Sequence, residues 1–326
     1  MTRISRRVVM PAIHVAVAAG VVIAAVPAIA FLRSDHPSWA VAPLGVALVI
    51  FAVQVGALAA GWGLLLARAN GGTRPGARLV LRSFLLGWLV RYLPGPPTGP
   101  AGKYVACRAA GWPLGPTAAA LFYENLLQLG AGLLLPALTI GFVLGAKGAW
   151  VSPLAVAVAV VITMAAVSPP VVRRLRRIAG RVGIGSATEV AVLPFRLLVG
   201  PGATFFLGAV LAALAFHVVA VTVSDLPASD VGRSLFVFGL ASAVGFVVPF
   251  APSGAGVREG VIVATLGPTI GGPEALSVAI VARATAITFD ALLATTFGAG
   301  YVLLALMRRF RRSRPKFATH PVNIRA

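Results

Sequence analysis

Two acidic residues of this sequence fall inside long apolar stretches, where a charge is costly. The chain has only eight acidic residues; Glu124 lies in the segment FYENLLQ, with Gln128 one helical turn along the same face. Asp290 is about 22 to 26 Å from either end of a predicted helix over 275–307. A charge at that depth costs about 3 kcal/mol, so such an acid is usually paired, protonated or functional. Two interpretations stay open: hydrogen bonds between helices, or a role in transport.

A second set of candidate binding residues lies at a break in an apolar region. In the segment 246–260, FVVPFAPSGAGVREG, Pro249 and Pro252 are expected to end a helix. Gly254 and Gly256 tolerate backbone angles that other residues resist. Irregular backbone at membrane depth persists only where protein buries it or where it lines a wet cavity. This turn is therefore predicted to form part of a binding site.

Basic residues accompany this break and a similar one over 94–102. Lys103 is predicted to lie in the turn at the break near 94–102. Arg258, beside Glu259, is predicted to lie where the helix begins again after the other break. Helix N-termini add N–H donors and a partial positive charge, so anions suit such places. Alternatively, Lys103 and Arg108 extend to the cytoplasmic surface, an interpretation that we favour for Arg108 alone. The alternative for Arg258 and Glu259 is that the two residues simply neutralise each other.

Other chemistry finds little support in the sequence. The four histidines are scattered and match no metal-ligand spacing, and a single cysteine, Cys107, excludes an intramolecular disulfide. No nucleophilic triad, phosphate loop or dinucleotide fingerprint is present. We therefore expect neither an enzyme nor a bound metal or cofactor.

Composition identifies the elements that must position these residues. Hydrophobic residues make up 59% of the 326 residues, charged residues 11%, and the mean hydropathy is +0.94. These values predict an all-α polytopic membrane protein. The net charge of +20 comes from basic residues clustered beside apolar spans, which favours a role in topology over nucleic-acid binding.

Eight apolar segments follow from hydropathy. About six are long enough to cross the bilayer, over 8–32, 39–67, 117–144, 151–172, 203–224 and 275–307. Two more, 79–108 and 235–266, are each split by a proline- and glycine-rich turn. The first span is interpreted as a retained helix rather than a cleaved signal peptide, because its apolar run is too long. The five tryptophans fall near span ends, as in interfacial belts, and receive no functional role.

The positions of the basic segments predict the topology. Because cytoplasmic loops are rich in arginine and lysine, both termini are placed inside, and 308–326 becomes a basic cytoplasmic tail. The split segment 79–108 must then enter and leave from the cytoplasm, and 235–266 from the outside. The predicted fold is one membrane domain, 1–326, in which 39–144 and 203–307 form an inverted repeat with two opposed re-entrant hairpins. If either hairpin crosses completely, the number of spans rises.

These residues together resemble a known family. The segment RYLPG at 91–95 is followed by Gly99, Lys103 and Glu124, and PSGAGVREG at 252–260 is the more specific match. Across almost the entire chain the sequence resembles the lysylphosphatidylglycerol synthase transmembrane family, a flippase-like membrane region of bacteria. The resemblance implies lipid translocation, with aminoacylated phosphatidylglycerol as substrate in members fused to a synthetase domain. This chain lacks a soluble aminoacyl-transferase domain, so lipid synthesis is not expected, and its first break is unusually proline-rich.

The resulting hypothesis is a flippase-like protein of the bacterial inner membrane that translocates a phospholipid or another lipid-linked anionic substrate. A phosphate would contact Lys103 and Arg258, whereas Glu124 and Asp290 would meet a cationic group or carry a coupling proton. The predicted substrate-binding residues are Lys103, Glu124, Gly254, Gly256, Arg258, Glu259 and Asp290. Two alternatives remain: a non-transporting partner of a membrane glycosyltransferase or lipid-modifying enzyme, and a proton-coupled exporter of small solutes. The expected partner is membrane lipid, and no nucleic acid is expected.

Overall fold

A computed structural model of the chain describes residues 41–91, 98–145, 148–181, 191–248 and 256–312. Within these ranges the backbone forms helices joined by short turns. The helices are α1 (Val41–Ala69), α2 (Ala77–Val90), α3 (Thr98–Ala109), α4 (Leu114–Thr139), α5 (Gly141–Leu144), α6 (Gly148–Val167), α7 (Pro169–Arg181), α8 (Phe195–Val223), α9 (Val231–Val247), α10 (Val257–Ile270) and α11 (Gly272–Arg312).

Within the described residues, five helical segments are long and apolar enough to cross a membrane, which confirms a multi-pass all-α protein. They are Ala42–Ala69, Leu114–Leu144, Trp150–Val167, Phe195–Val223 and Gly272–Phe297. Each overlaps one of the six predicted full spans, and the remaining prediction, 8–32, lies outside the described residues. The shorter apolar helix Val231–Val247 falls in one of the two split segments.

The predicted span 151–172 is two helices rather than one. Helix α6 ends at Val167 and α7 begins at Pro169, with Ser168 between them. Proline disfavours the helical conformation in the residue before it, yet its fixed φ suits the first position of a new helix. The pair Pro169 and Pro170 therefore separates the apolar span from the basic helix that follows it.

Helices α2 and α3 form a short antiparallel pair whose closest contacts involve glycines. Gly87 packs against Gly99 and Lys103, and Gly102 packs against Val90. A Cβ on Gly102 would lie only 3.1 Å from the Cα atom of Gly87, so the two backbones are in close approach. This pair occupies the first split segment, with residues 92–97 outside the description.

The first helix break is shorter than the sequence predicts. The sequence predicts a break over 94–102 and an irregular turn that still includes Lys103, but α3 already begins at Thr98, which places Lys103 in the second turn of that helix. Pro100 does not prevent this, because a proline in the first helical turn removes no intrahelical hydrogen bond. The placement of Lys103 in an irregular turn is thus wrong.

Helices α9 and α10 form a second antiparallel pair. The Arg258 side chain at the start of α10 packs against Gly245 near the end of α9. At the other end, Arg233 Nη1 donates a hydrogen bond of 3.0 Å to Thr269 Oγ1. Helix α9 ends at Val247, before Pro249, as expected from the sequence, and residues 249–255 are not described.

Helices α1 and α8 make the most extensive helix contact in the described part of the chain. Gly61 of α1 faces Phe205, and Gly208 of α8 faces Leu58, so small residues allow the close antiparallel approach. Trp62 is fully buried in the adjoining cluster, where its indole N–H donates to Ser83 Oγ at 2.8 Å. Trp62 is therefore a packing residue, and its assignment to an interfacial belt is wrong.

Candidate functional site

A cavity of about 500 Å³ lies inside the helix bundle. Residues of both short helix pairs line it together with residues of α1, α4, α8 and α11, and most of its wall is apolar. Gln54, Gln128 and Ser242 add uncharged polar groups. Its charged lining consists of three arginines and two acids: Arg91, Arg258, Glu259, Arg283 and Asp290.

Asp290 joins α11 to the end of the first helix pair. Its carboxylate accepts a hydrogen bond from Arg91 Nη2 at 2.6 Å and another from the Trp88 indole N–H at 2.7 Å. The Arg91 guanidinium carbon lies 3.8 Å from the centre of the Trp88 ring, a cation–π contact that holds the guanidinium in the same place. Asp290 is 1% exposed, so these donors replace the water that a carboxylate needs. Trp88, too, is no belt residue but part of the cavity wall.

Trp88→Phe is expected to lower the free energy of unfolding by about 1.5 to 3 kcal/mol, because it keeps a ring but removes a hydrogen bond to a charged group. The matched control is Trp150→Phe, since Trp150 is 87% exposed and its replacement should change stability by no more than about 0.5 kcal/mol. Denaturation of both variants in the same detergent would measure the difference. Equal stability of the two variants would show that the indole N–H contributes nothing to the site.

Glu259 links the second helix pair to α11. Its Oε1 accepts from Arg283 Nη1 at 2.5 Å, and its Oε2 accepts from the backbone N–H of Gly256 at 2.7 Å. The carboxylate thus caps α10 and holds Arg283 at the cavity. Mutual neutralisation of Arg258 and Glu259 had been left open, but the ion-pair partner of Glu259 is Arg283.

Arg258 points its guanidinium along the wall of α9. Its Nη2 donates to Ser242 Oγ at 2.5 Å, and its guanidinium carbon is 5.4 Å from the centre of the Phe238 ring. Arg91 and Arg258 are therefore alike: each comes from a short helix pair and lies near an aromatic ring of its own pair. Both bring a planar group of five N–H donors, suited to a phosphate, to one cavity.

Gly256 has a φ of +81°, and no heavy atom of the described residues lies within 4 Å of its Cβ position. The backbone conformation rather than lack of space thus requires glycine. We expect Gly256→Ala to destabilise the protein by about 1 to 2 kcal/mol. Gly260→Ala, in the interior of α10 with equally open surroundings, should stabilise it by up to about 1 kcal/mol. Thermal unfolding of the two variants would test this, and a stabilising alanine at 256 would contradict it.

Lys103 and Glu124 form a second, deeper ion pair. They are 6% and 3% exposed, and Lys103 Nζ donates to Glu124 Oε1. The ammonium nitrogen also lies 4.7 Å from the Trp62 ring centre and 4.4 Å from that of Phe84. Neither residue is among the cavity-lining residues of the described chain, but Gln128 connects the pair to the cavity wall through a 3.1 Å hydrogen bond to Glu124.

The structure brings together only part of the predicted substrate-binding set. Arg258, Glu259 and Asp290 line the cavity. Gly256 directly precedes α10, two residues before Arg258, and Gly254 lies outside the described residues. The substrate roles of Lys103 and Glu124 stay predictions, since the pair is enclosed by protein. Among the described residues, no group of three or more His, Cys, Asp or Glu side chains could hold a metal ion.

Sequence reasoning did not assign Arg91, Trp88 or Arg283 to the site. Arg283 precedes Asp290 by seven residues, about two helical turns, and both line the cavity. Arg91 lies just before the first proline-rich break, and Arg258 lies just after the second. Because both arginines adjoin a break, the sequence could have identified Arg91 as a candidate site residue. Trp88 carried no comparable signal, because a tryptophan near a span end is typical of membrane interfaces.

Comparison with known families agrees with this architecture. A family model described as "Lysylphosphatidylglycerol synthase TM region" matches residues 11–294, which include every cavity residue named above. No curated protein matches the chain.

Proposed function

Because the chain belongs to the lysylphosphatidylglycerol synthase TM region family, we propose that it is a flippase-like protein that moves a lipid with an anionic head group between leaflets. One observation carries the proposal: among the described residues, the cavity lining contains three arginines and two acids. This excess of one positive charge, on side chains that are only partly exposed, favours an anionic ligand. A phosphate diester bears one negative charge and matches that excess.

Each group in the cavity has a defined part in this proposal. Arg91, Arg258 and Arg283 would bind phosphate oxygens through paired N–H donors, which is the geometry that guanidinium groups favour. Asp290 and Glu259 hold two of these arginines in place before the lipid arrives, and they would meet an ammonium group if the head group has one. The apolar remainder of the wall suits the first carbons of acyl chains.

The membrane arrangement belongs to the same proposal. Helices α2, α3, α9 and α10 have 12 to 17 residues, or about 18 to 26 Å, less than the roughly 30 Å of a bilayer core. We propose that each short pair is a re-entrant hairpin and that the two enter from opposite faces of the bacterial cytoplasmic membrane. Both termini and the tail 308–326 would then be cytoplasmic.

The ion pairs support the proposed inverted repeat of 39–144 and 203–307. In the first half, Lys103 of α3 pairs with Glu124 of α4. In the second half, Glu259 of α10 pairs with Arg283 of α11. In each half the third and fourth helices are thus joined by an ion pair, with the acid and the base exchanged between the halves, although only the second pair lines the cavity.

Purified protein in liposomes tests the proposal directly. Fluorescent phosphatidylglycerol is expected to become accessible from the opposite leaflet faster than in protein-free liposomes, and fluorescent diacylglycerol, which lacks phosphate, is not. The assay is run with and without a proton gradient to allow for either energy source. Arg258→Gln should slow the reaction, whereas Arg233→Gln, at an arginine paired with Asp230 away from the cavity, should not. Rates equal to those of protein-free liposomes under both conditions would favour the non-transporting partner instead.

A further inference from the structure

Helix α7 lies directly after a candidate span and differs from every apolar helix of the bundle. It begins two residues after the candidate span Trp150–Val167 ends. Its sequence, PPVVRRLRRIAGR, contains five arginines and no acid. Val172, near its start, is 1% exposed and belongs to the same buried cluster as Ala69 and Leu193. The start of the helix is thus held against the bundle while its basic residues follow.

The charges of α7 are concentrated on one side. Arg173, Arg174 and Arg177 are exposed, and at about 100° per residue their positions fall within an arc of about 100°. Positions 171, 172, 175 and 178, all apolar in the sequence, fall within a separate arc of about 120° whose centre lies about 150° from that of the three arginines. A helix with a basic side and an apolar side is typical of the plane between head groups and acyl chains.

Among the described residues, no acid lies close to α7 in the sequence. Arg68, Arg78 and Arg196 lie at the end of α1 and the starts of α2 and α8. The antiparallel packing of α1 with α8 and of α1 with α2 places these termini at one end of the bundle. The four termini, including α7, carry no acid in their described residues. A soluble helix would be expected to mix charges, whereas an anionic membrane surface complements this arrangement.

We propose that α7 lies in the head-group layer and that Arg173, Arg174 and Arg177 bind the head groups of anionic phospholipids. This surface is separate from the cavity and does not depend on lipid translocation. This arginine surface of α7 binds anionic lipids in preference to zwitterionic ones. The bound lipid belongs to the surrounding leaflet, because α7 directly follows a candidate membrane span and its apolar side can insert into that leaflet.

Native mass spectrometry of the full chain in detergent tests the proposal. Equal amounts of phosphatidylglycerol and phosphatidylethanolamine are added, and the ratio of the two bound lipids is measured. Each arginine near an anionic surface contributes about fivefold, so we expect R173Q/R174Q/R177Q to lower the preference for phosphatidylglycerol by about tenfold or more. R173K/R174K/R177K keeps the charge and should retain the preference to within about threefold.

The control is R233Q, which removes an arginine paired with Asp230 at the opposite end of the bundle. It leaves the basic end of the bundle and the cavity unchanged, so the preference should change by less than about threefold. Raising the salt concentration should weaken the wild-type preference, since exposed charges are screened. An equal loss in R233Q and in the α7 glutamine triple, no loss in the α7 triple, or a loss in the lysine triple as large as that in its glutamine counterpart would overturn the proposal.

Discussion

Lys103→Met is expected to lower the free energy of unfolding by about 3 to 5 kcal/mol, the usual cost of removing one partner from a buried ion pair. The loss is large because Glu124, 3% exposed, would keep a carboxylate in an apolar interior without its cation. Gln128 alone would still donate to it. Denaturant or thermal unfolding in a fixed detergent would measure the change.

Glu124→Gln is expected to cost less than Lys103→Met. The ammonium group that it leaves behind lies within 5 Å of the ring centres of Trp62 and Phe84, and such contacts are worth about 1 to 2 kcal/mol when desolvated. As a control, Arg233→Gln breaks the pair with Asp230, which is only partly buried, and should cost no more than about 1 kcal/mol.

The double variant Lys103→Met with Glu124→Gln decides between packing and substrate binding. Removing both charges leaves no unpaired ion, so stability should return to within about 2 kcal/mol of the wild type. If the pair only fastens α3 to α4, the liposome transport rate should return as well. A stable double variant without transport would instead support the substrate roles predicted from the sequence.

The spans and helix ends were predictable because their causes are local. A run of about 20 apolar residues needs no partner to be recognised, and five such runs match helices of the structure. The end of α9 before Pro249 follows from the chemistry of proline itself. The early start of α3 at Thr98 was missed, since several prolines and glycines near 94–102 favour a turn while the packing of Gly87 against Gly99 favours a helix.

The ion-pair partners were beyond prediction for a physical reason. Arg91 and Asp290 are separated by 199 positions, and Arg283 and Glu259 by 24, so tertiary packing alone brings them together. The sequence did identify which acids lie at costly depth, because that depends only on position in an apolar helix. It could not say that Asp290 faces a cavity while Glu124 is enclosed, since both lie in similar apolar helices.

The ion pair of Arg91 and Asp290 allows the same kind of experiment at residues that line the cavity. Arg91→Gln alone would remove the cation that lies 2.6 Å from Asp290 and leave a buried, 1% exposed carboxylate without it. This single variant would therefore change both folding stability and transport, and the two effects could not be separated. In Arg91→Gln with Asp290→Asn no charge is left unmatched, and the Trp88 indole can still donate to the amide oxygen at position 290. This double variant is expected to fold with a stability within about 2 kcal/mol of the wild type.

Transport by the Arg91→Gln with Asp290→Asn variant should nevertheless fall by about 10- to 100-fold. The cavity loses one arginine and one acid, so its net charge stays the same, but the charge-assisted hydrogen bond from Arg91 to phosphate is lost, and such a bond is worth about 1.5 to 3 kcal/mol. The rate is measured with fluorescent phosphatidylglycerol, beside the Lys103→Met with Glu124→Gln variant, which changes as many charges outside the cavity. If both double variants fold and transport at the wild-type rate, the cavity arginines do not bind the head group. A selective loss with the Arg91 pair alone would place the lipid phosphate between the two short helix pairs, because Arg91 reaches the cavity from one pair and Arg258 from the other.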